Sequence, residues 1–246
     1  MRLIVDTHTH TVSSGHAYST VQEMVAEARK NGIEMFAITD HGPGMKGAPF
    51  EYHFTNLRII PREINGVRII KGAEVNIINY KGDLDLSERC LKRLEFVIAS
   101  LHDVVIEPST VQEHTNALIG ALKNPLVDAI GHPGNPVFNV DIEKVVLAAK
   151  EYGKFIEINS SSIYSRKGSE KNCAEFIKLC KLHKVKIVCG SDAHISFDVG
   201  NFKWAYELIE NIKMPEELIM NTEASKLMNY IEERKDRIKN LSDSYR

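Results

Sequence analysis

The histidines of this chain are spaced as metal chemistry needs them. His8 and His10 are two residues apart, and side chains alternate across a strand, so both imidazoles face the same way. Asp192 and His194 repeat that spacing near the other end. Between them stand His16, His41, Glu74, His102 and His132. Imidazole nitrogens and carboxylate oxygens suit zinc, manganese or iron, with no cysteine required. Seven of the ten histidines, together with Glu74 and Asp192, are too many ligands for one cation. They suit two or three, with a carboxylate such as Glu74 shared between neighbours. Burying seven imidazoles side by side without metal would leave several polar groups unpaired.

Something must bring residues so distant in sequence together. Short apolar runs rich in Ile and Val alternate with amphipathic stretches. The strand candidates are Leu3–Asp6, Met35–Thr39, Arg68–Glu74, Phe96–Leu101, Val127–Gly131, Phe155–Asn159 and Lys186–Gly190, as expected for buried parallel strands. The helix candidates are Thr20–Asn31, Ser109–Lys123, Asp141–Tyr152, Glu170–His183, Asn201–Lys213 and Thr222–Ile238. Units of roughly 30 residues match one βα step. A closed barrel and an open doubly wound sheet both fit this alternation. In α/β barrels the active site lies at the C-terminal ends of the strands, and almost every strand candidate runs into a metal-type ligand there. Only the sixth has none; Asn159 and Ser161 at its end are expected to line the pocket. Asp6 is expected to orient the His8 imidazole. Asp40 should point away from His41 and serve a structural role. Residues 1–238 read as one domain and 239–246 as a polar tail.

The bulk numbers exclude several classes. Apolar residues make up 43% and charged residues 26%, which is ordinary for a globular protein. The net charge of -2 lacks the basic excess of a large nucleic-acid footprint. Neither a signal-peptide core nor a run of about 20 apolar residues is present, so a cytoplasmic protein with no membrane segment is expected. Cys90, Cys173, Cys180 and Cys189 form no close pair and read as reduced packing residues. A homo-oligomer is compatible with this sequence.

The set His8-Thr9-His10, His16, Thr39-Asp40-His41, Glu74, His102, His132-Pro133 and Gly190-Ser191-Asp192-Ala193-His194 resembles the PHP family, named for polymerase and histidinol phosphatase. The neighbouring segments His16-Ala17-Tyr18-Ser19-Thr20, His132-Pro133-Gly134-Asn135-Pro136 and Ser165-Arg166-Lys167-Gly168-Ser169-Glu170 are most similar to its YcdX-type phosphatase branch. The likeness runs from Val5 to about Ile231. It implies a distorted (β/α)7 TIM-like barrel and a trinuclear centre, usually of zinc. By motif, one metal would take His8, His10, Glu74 and Asp192, a second Glu74, His102 and His132, and a third His16, His41 and His194. Gly15 and Ala193 depart from the common pattern at positions that hold no ligand.

Such a centre lowers the pKa of bound water and neutralises charge on phosphate oxygens, so hydrolysis of small phosphate monoesters by a metal-bound hydroxide is expected. Phosphate also needs donors from the protein. Arg166 and Lys167 follow the sixth strand, Arg58 and Arg62 flank the loop between the second and third, and His53 lies in that loop. The rival readings are a histidinol-phosphate phosphatase and a phosphodiesterase or exonuclease; the charge balance argues against the latter.

Overall fold

Strands made of Val, Ile, Phe and Ala bury both faces and must pair side by side. The computed structural model describes residues 1–243. Its strands are β1 (Val5–Thr9), β2 (Met35–Ile38), β3 (Glu63–Ile64), β4 (Val67–Asn76), β5 (Phe96–Ser100), β6 (Ala129–Ile130), β7 (Phe155–Asn159) and β8 (Ile187–Gly190). All but β3 run parallel in the order β1-β2-β4-β5-β6-β7-β8, and β3 pairs antiparallel with β4.

The ends of this sheet meet. A parallel bridge joins Thr9 to Ala193, and Asp192 N donates to His8 O at 2.9 Å. Lower down, Asn221 fills the seam between β1 and β8. Its side chain donates to Val5 O at 2.7 Å and Cys189 O at 2.8 Å, and accepts from Cys189 N at 2.7 Å. Backbone groups that an open edge would leave unpaired are thus satisfied. The result is a nearly closed, distorted TIM-like barrel, which excludes the open doubly wound sheet.

Around the strands lie α1 (Val21–Lys30), α2 (Tyr52–Asn56), α3 (Glu88–Leu91), α4 (Val111–Lys123), α5 (Ile142–Tyr152), α6 (Ser162–Ser165), α7 (Glu170–His183), α8 (Lys203–Ile212) and α9 (Ala224–Asp243). Local chemistry sets their ends. Capping boxes at Thr20/Glu23 and Thr110/Glu113 start α1 and α4. Gly153, at φ 65°, ends α5 in the left-handed conformation that costs glycine least. Helices α2, α3 and α6 and strand β3 fall in stretches read as loops, because two to five residues are too short for periodicity to register. Helix α9 continues past Ile238 to Asp243, into the expected polar tail, and residues 244–246 lie outside the described residues.

Two apolar layers result. One separates the strands from the outer helices. The other fills the barrel with Val5, Met35, Ala37, Ile70, Phe96, Ile98, Ala129, Phe155 and Val188, and Leu227, Tyr230 and Ile231 of α9 plug its N-terminal end. The four cysteines are buried and free, and burial pushes the Cys173 thiol up to about 12. No helix among the described residues is long and apolar enough to cross a membrane.

Candidate metal centre

Alternation inside the barrel builds the centre. Going up β4, Ile70 fills the apolar floor, Gly72 leaves space, and Glu74 and Asn76 reach the polar end. The series Phe96, Ile98, Ser100, His102 and the series Phe155, Glu157, Asn159 do the same on β5 and β7. Period-two geometry therefore stacks apolar residues below and ligand-type residues above. Glycines make room: a Cβ on Gly190 would stand 2.3 Å from Glu157 Oε1 and 2.4 Å from His8 Cβ.

Glu74 is the hub. Its Oε2 lies 2.7 Å from His41 Nδ1, 3.3 Å from His8 Nε2 and 3.6 Å from His10 Nε2. Its Oε1 lies 2.8 Å from His132 Nε2 and 3.4 Å from His102 Nε2. Asp192 Oδ1 adds contacts to His10 at 3.1 Å and His8 at 3.7 Å. His194 Nε2 meets His16 Nε2 at 3.1 Å, and the His16 and His41 rings stack at 5.0 Å. The structure thus brings His8, His10, His16, His41, Glu74, His102, His132, Asp192 and His194 into one connected cluster.

The partners on the far side of each ring set the tautomers. His8 Nδ1 sits 2.6 Å from Glu157 Oε1, His102 Nδ1 2.7 Å from Asn76 Oδ1, and His194 Nδ1 2.9 Å from the Asp192 carbonyl. Each acceptor requires an N–H on Nδ1. His10 Nδ1 faces Ser14 Oγ at 3.1 Å, and Ser14 spends its own proton on Asp40, so that nitrogen also donates. The Nε2 atoms of His8 and His10 therefore turn inward together and stand only 3.0 Å apart. Lone pairs this close repel unless a proton or a metal cation lies between them. His41 Nδ1, Glu74 Oε2 and His102 Nε2 are buried with no hydrogen-bond partner. Three groups place their ligand atoms within 4.8 Å of one another: His8, His10 and Glu74; His41, Glu74 and His102; and His10, His41 and His194. Nitrogen- and oxygen-bound divalent cations fit this donor set.

Electrostatics agree. Burial opposes charge on Glu74 and Asp192, but surrounding imidazoles, and Arg166 for Asp192, hold both carboxyls well below the usual range. Burial lowers His10 to about 3 and His132 to about 4, which keeps both rings neutral and ready to ligate. Burial works against a charged His8 too, but the Glu157, Glu74 and Asp192 carboxylates overcome it and raise that ring.

A pH dependence of the chelated protein follows. Folded pKa values of about 3 and 4 lie below the ordinary 6.5 of the unfolded chain, so the unfolded state binds more protons below pH 6.5. The stability of these neutral rings is present above pH 6.5 and is lost as pH falls, by about 1.4 kcal/mol per pH unit for each ring. The raised His8 contributes no slope there, because its stabilisation disappears only above 6.5. Asp6, raised by burial to about 6, offsets one ring between pH 6 and its ordinary 3.8. Urea midpoints of the chelated chain should fall steadily from pH 6.5 to 4, and a flat or rising profile would contradict the neutral rings.

The remaining site candidates fall in different places. Arg166 Nη1 and Nη2 both reach Asp192 Oδ2 at 3.2 Å. His53 Nε2 lies 3.0 Å from Asp40 Oδ2, and Asp40 also holds Thr11 and Ser14. Arg58 lines a cleft on the flank of the barrel with Arg89 and Arg93. Arg62 pairs through its carbonyl with Ile69 N, near the start of β4 and so at the opposite end from Glu74. Asp6 does not reach the His8 ring: the β1–β2 register shifts between Asp6 and Thr9, and its carboxylate accepts from the backbone N–H groups of His8, Ser191 and Gly200. Glu157 takes the role expected of Asp6. It also accepts from His132 N at 2.6 Å, where His132 holds φ at 30°. Asp192, at φ 56°, is likewise in a conformation costly for a non-glycine residue.

Comparison with known proteins agrees with this geometry. The chain is 64% identical over 239 residues to a protein of Acetivibrio thermocellus named a probable phosphatase, covering 97% of this chain and 99% of that one. A Clostridium botulinum protein of the same name is 48% identical over 242 residues, covering 98% and 99%. The fold is shared with a Lactococcus lactis histidinol phosphate phosphatase solved with zinc, L-histidinol and phosphate. That likeness has a TM-score of 0.62 at 17% identity and covers 87% of this chain and 95% of that one. The PHP domain profile matches residues 6–163. This chain, with its ligand cluster at the C-terminal mouth of the barrel, belongs to the PHP domain family.

Proposed function

We propose that the protein is a metal-dependent phosphatase that hydrolyses small phosphate monoesters at a centre of three divalent ions, with zinc as the first choice. The observation that carries this reading is the convergence of bare imidazole nitrogens on Glu74 and Asp192. Relatives named probable phosphatases support it. In the assignment we favour, His8, His10, Glu74 and Asp192 hold one ion, Glu74, His102 and His132 a second, and His16, His41 and His194 the third. His10 and His41 each lie within reach of two of these positions. When bound, the metals supply hydroxide near neutral pH and neutralise phosphate charge.

The chain's own groups do the rest. Glu157, Ser14 and Asn76 hold the rings in the ligating tautomer. The Arg166 guanidinium stands beside Asp192 at the mouth, where it can clamp phosphate oxygens in a bidentate manner. Arg166→Ala should lower kcat/KM by about 10- to 100-fold, mostly through KM. Arg166→Lys should recover only part, because an ammonium lacks the planar fork. Steady-state kinetics of both variants tests this, and an unchanged KM in Arg166→Ala would remove the clamp.

The decisive experiment compares a chromogenic phosphate monoester with its diester on one metal-reconstituted preparation, with chelated and His132→Ala samples as controls. Monoester turnover in excess, lost in both controls, is the expected result. Diester excess would replace this reading with a nuclease. A panel of sugar, amino-alcohol and histidinol phosphates then sorts the substrate.

A further inference from the structure

A second site faces away from the metal centre. Arg58, Arg89 and Arg93 line a cleft of 390 Å³ between α2 and α3, together with Glu51, Tyr52, Thr55 and Asn56. All three arginines are exposed, and none of their guanidinium groups enters an ion pair or hydrogen bond among the described residues. The acids nearby are engaged: Glu51 accepts from the Ser87 hydroxyl, and Glu88 pairs with Lys92 at 2.6 Å. Three guanidiniums therefore share one cleft with a single carboxylate. Like charges gathered in this way repel, and the local field favours an anion able to bridge them.

We propose that this cleft binds a small anion carrying two or more phosphate charges. Guanidinium forks match phosphate oxygens bidentately, and three of them exceed what one monoanion can use. Thr55 and Asn56 add neutral donors, and the Tyr52 ring, 70% exposed, offers a flat face at the rim. The cleft is joined to the metal end through α2. That helix places Tyr52, Thr55 and Asn56 on the cleft, while its His53 contacts Asp40, which holds Ser14 behind the His10 ring.

Calorimetry with inorganic pyrophosphate on the full chain tests the site, in metal-loaded and chelated forms. Pyrophosphate also meets metals, so the chelated form isolates the cleft. We expect one equivalent to bind the chelated chain. Arg89→Glu/Arg93→Glu should weaken that binding by more than about a hundredfold, since it removes two charge-assisted contacts and reverses both charges. Monoester turnover of the metal-loaded double variant should stay at the parent value. Loss of all binding on chelation, or equal affinity in the double variant, would overturn the proposal. So would a single-stranded oligonucleotide that displaces pyrophosphate at far lower concentration, which would make the cleft a nucleic-acid surface. If the Glu variant fails to fold, Arg89→Lys/Arg93→Lys decides. It keeps the charge, and a measurable weakening is expected, whereas unchanged affinity would sink the forked contact. The binding readout stands whether or not the phosphatase reading holds.

Discussion

Glu74→Gln should strip metal from the centre and lower turnover by more than about a hundredfold, since loss of an outer partner alone costs about 10- to 100-fold in metal affinity or activity. One carboxylate lies between 2.7 and 3.6 Å from five imidazoles. An amide of the same shape removes the charge that those rings and their ions share. It also puts an NH2 group where a carboxylate oxygen stood, and an amide nitrogen has no lone pair to offer a cation. Metal analysis of the purified variant should read well below the parent, and chromogenic monoester turnover should fall with it. Glu157→Gln is the informative contrast. Its carbonyl can still accept from His8 Nδ1, so metal affinity should drop by the smaller outer-partner factor, about 10- to 100-fold. A Glu74→Gln protein with full metal content and parental turnover would sink the shared-carboxylate assignment.

The cluster was legible because of a geometric regularity. Alternation along strands, and the rule that barrel sites lie at strand C-termini, place nine residues from seven separate stretches on one face without knowledge of the fold. What was hidden followed from the same regularity applied too coarsely. Glu157 sits in the middle of an apolar strand, in the inward series Phe155, Glu157, Asn159, and a charged residue at such a position was itself the signal. Asp6 turns away from the His8 ring because alternation holds only while register holds, and β1 shifts against β2 just there. Ser14 and Asn76 carry no charge, and nothing in their spacing marks them as ring partners. Arg62 illustrates a different blindness. A connection between parallel strands must travel from the top of the barrel to its bottom, so the early part of a loop lies at the site and the late part does not. His53 and Arg62 sit nine residues apart in one connection, and only the first lies near the metal end.

Arg234→Ala should destabilise the chain by about 3–5 kcal/mol while leaving the chemistry at the far end nearly intact. Arg234 is 1% exposed and lies on α9, beneath the barrel floor. Its Nε donates to both Asp128 oxygens at 2.9 and 2.8 Å, and its Nη atoms donate to the carbonyls of Leu94, Leu91 and Leu126. Asp128 in turn accepts from Val97 N and from the Tyr230 hydroxyl. Removing the guanidinium leaves a buried carboxylate without its cation and three carbonyls short of a donor, with a cavity beside them. For a chain of this length, each kcal/mol shifts Tm by about 2–4 °C, so a fall of roughly 10 °C is expected. The apolar pair Asp128→Leu/Arg234→Met should recover part of the loss, because a well-packed apolar replacement removes both charges together. Turnover per metal-loaded molecule, measured well below the lowered Tm, should stay close to the parent. The Arg234 network and Glu74 lie at opposite ends of the barrel, so a variant that loses turnover in proportion to stability even at low temperature would mean that the floor and the metal centre are one cooperative unit.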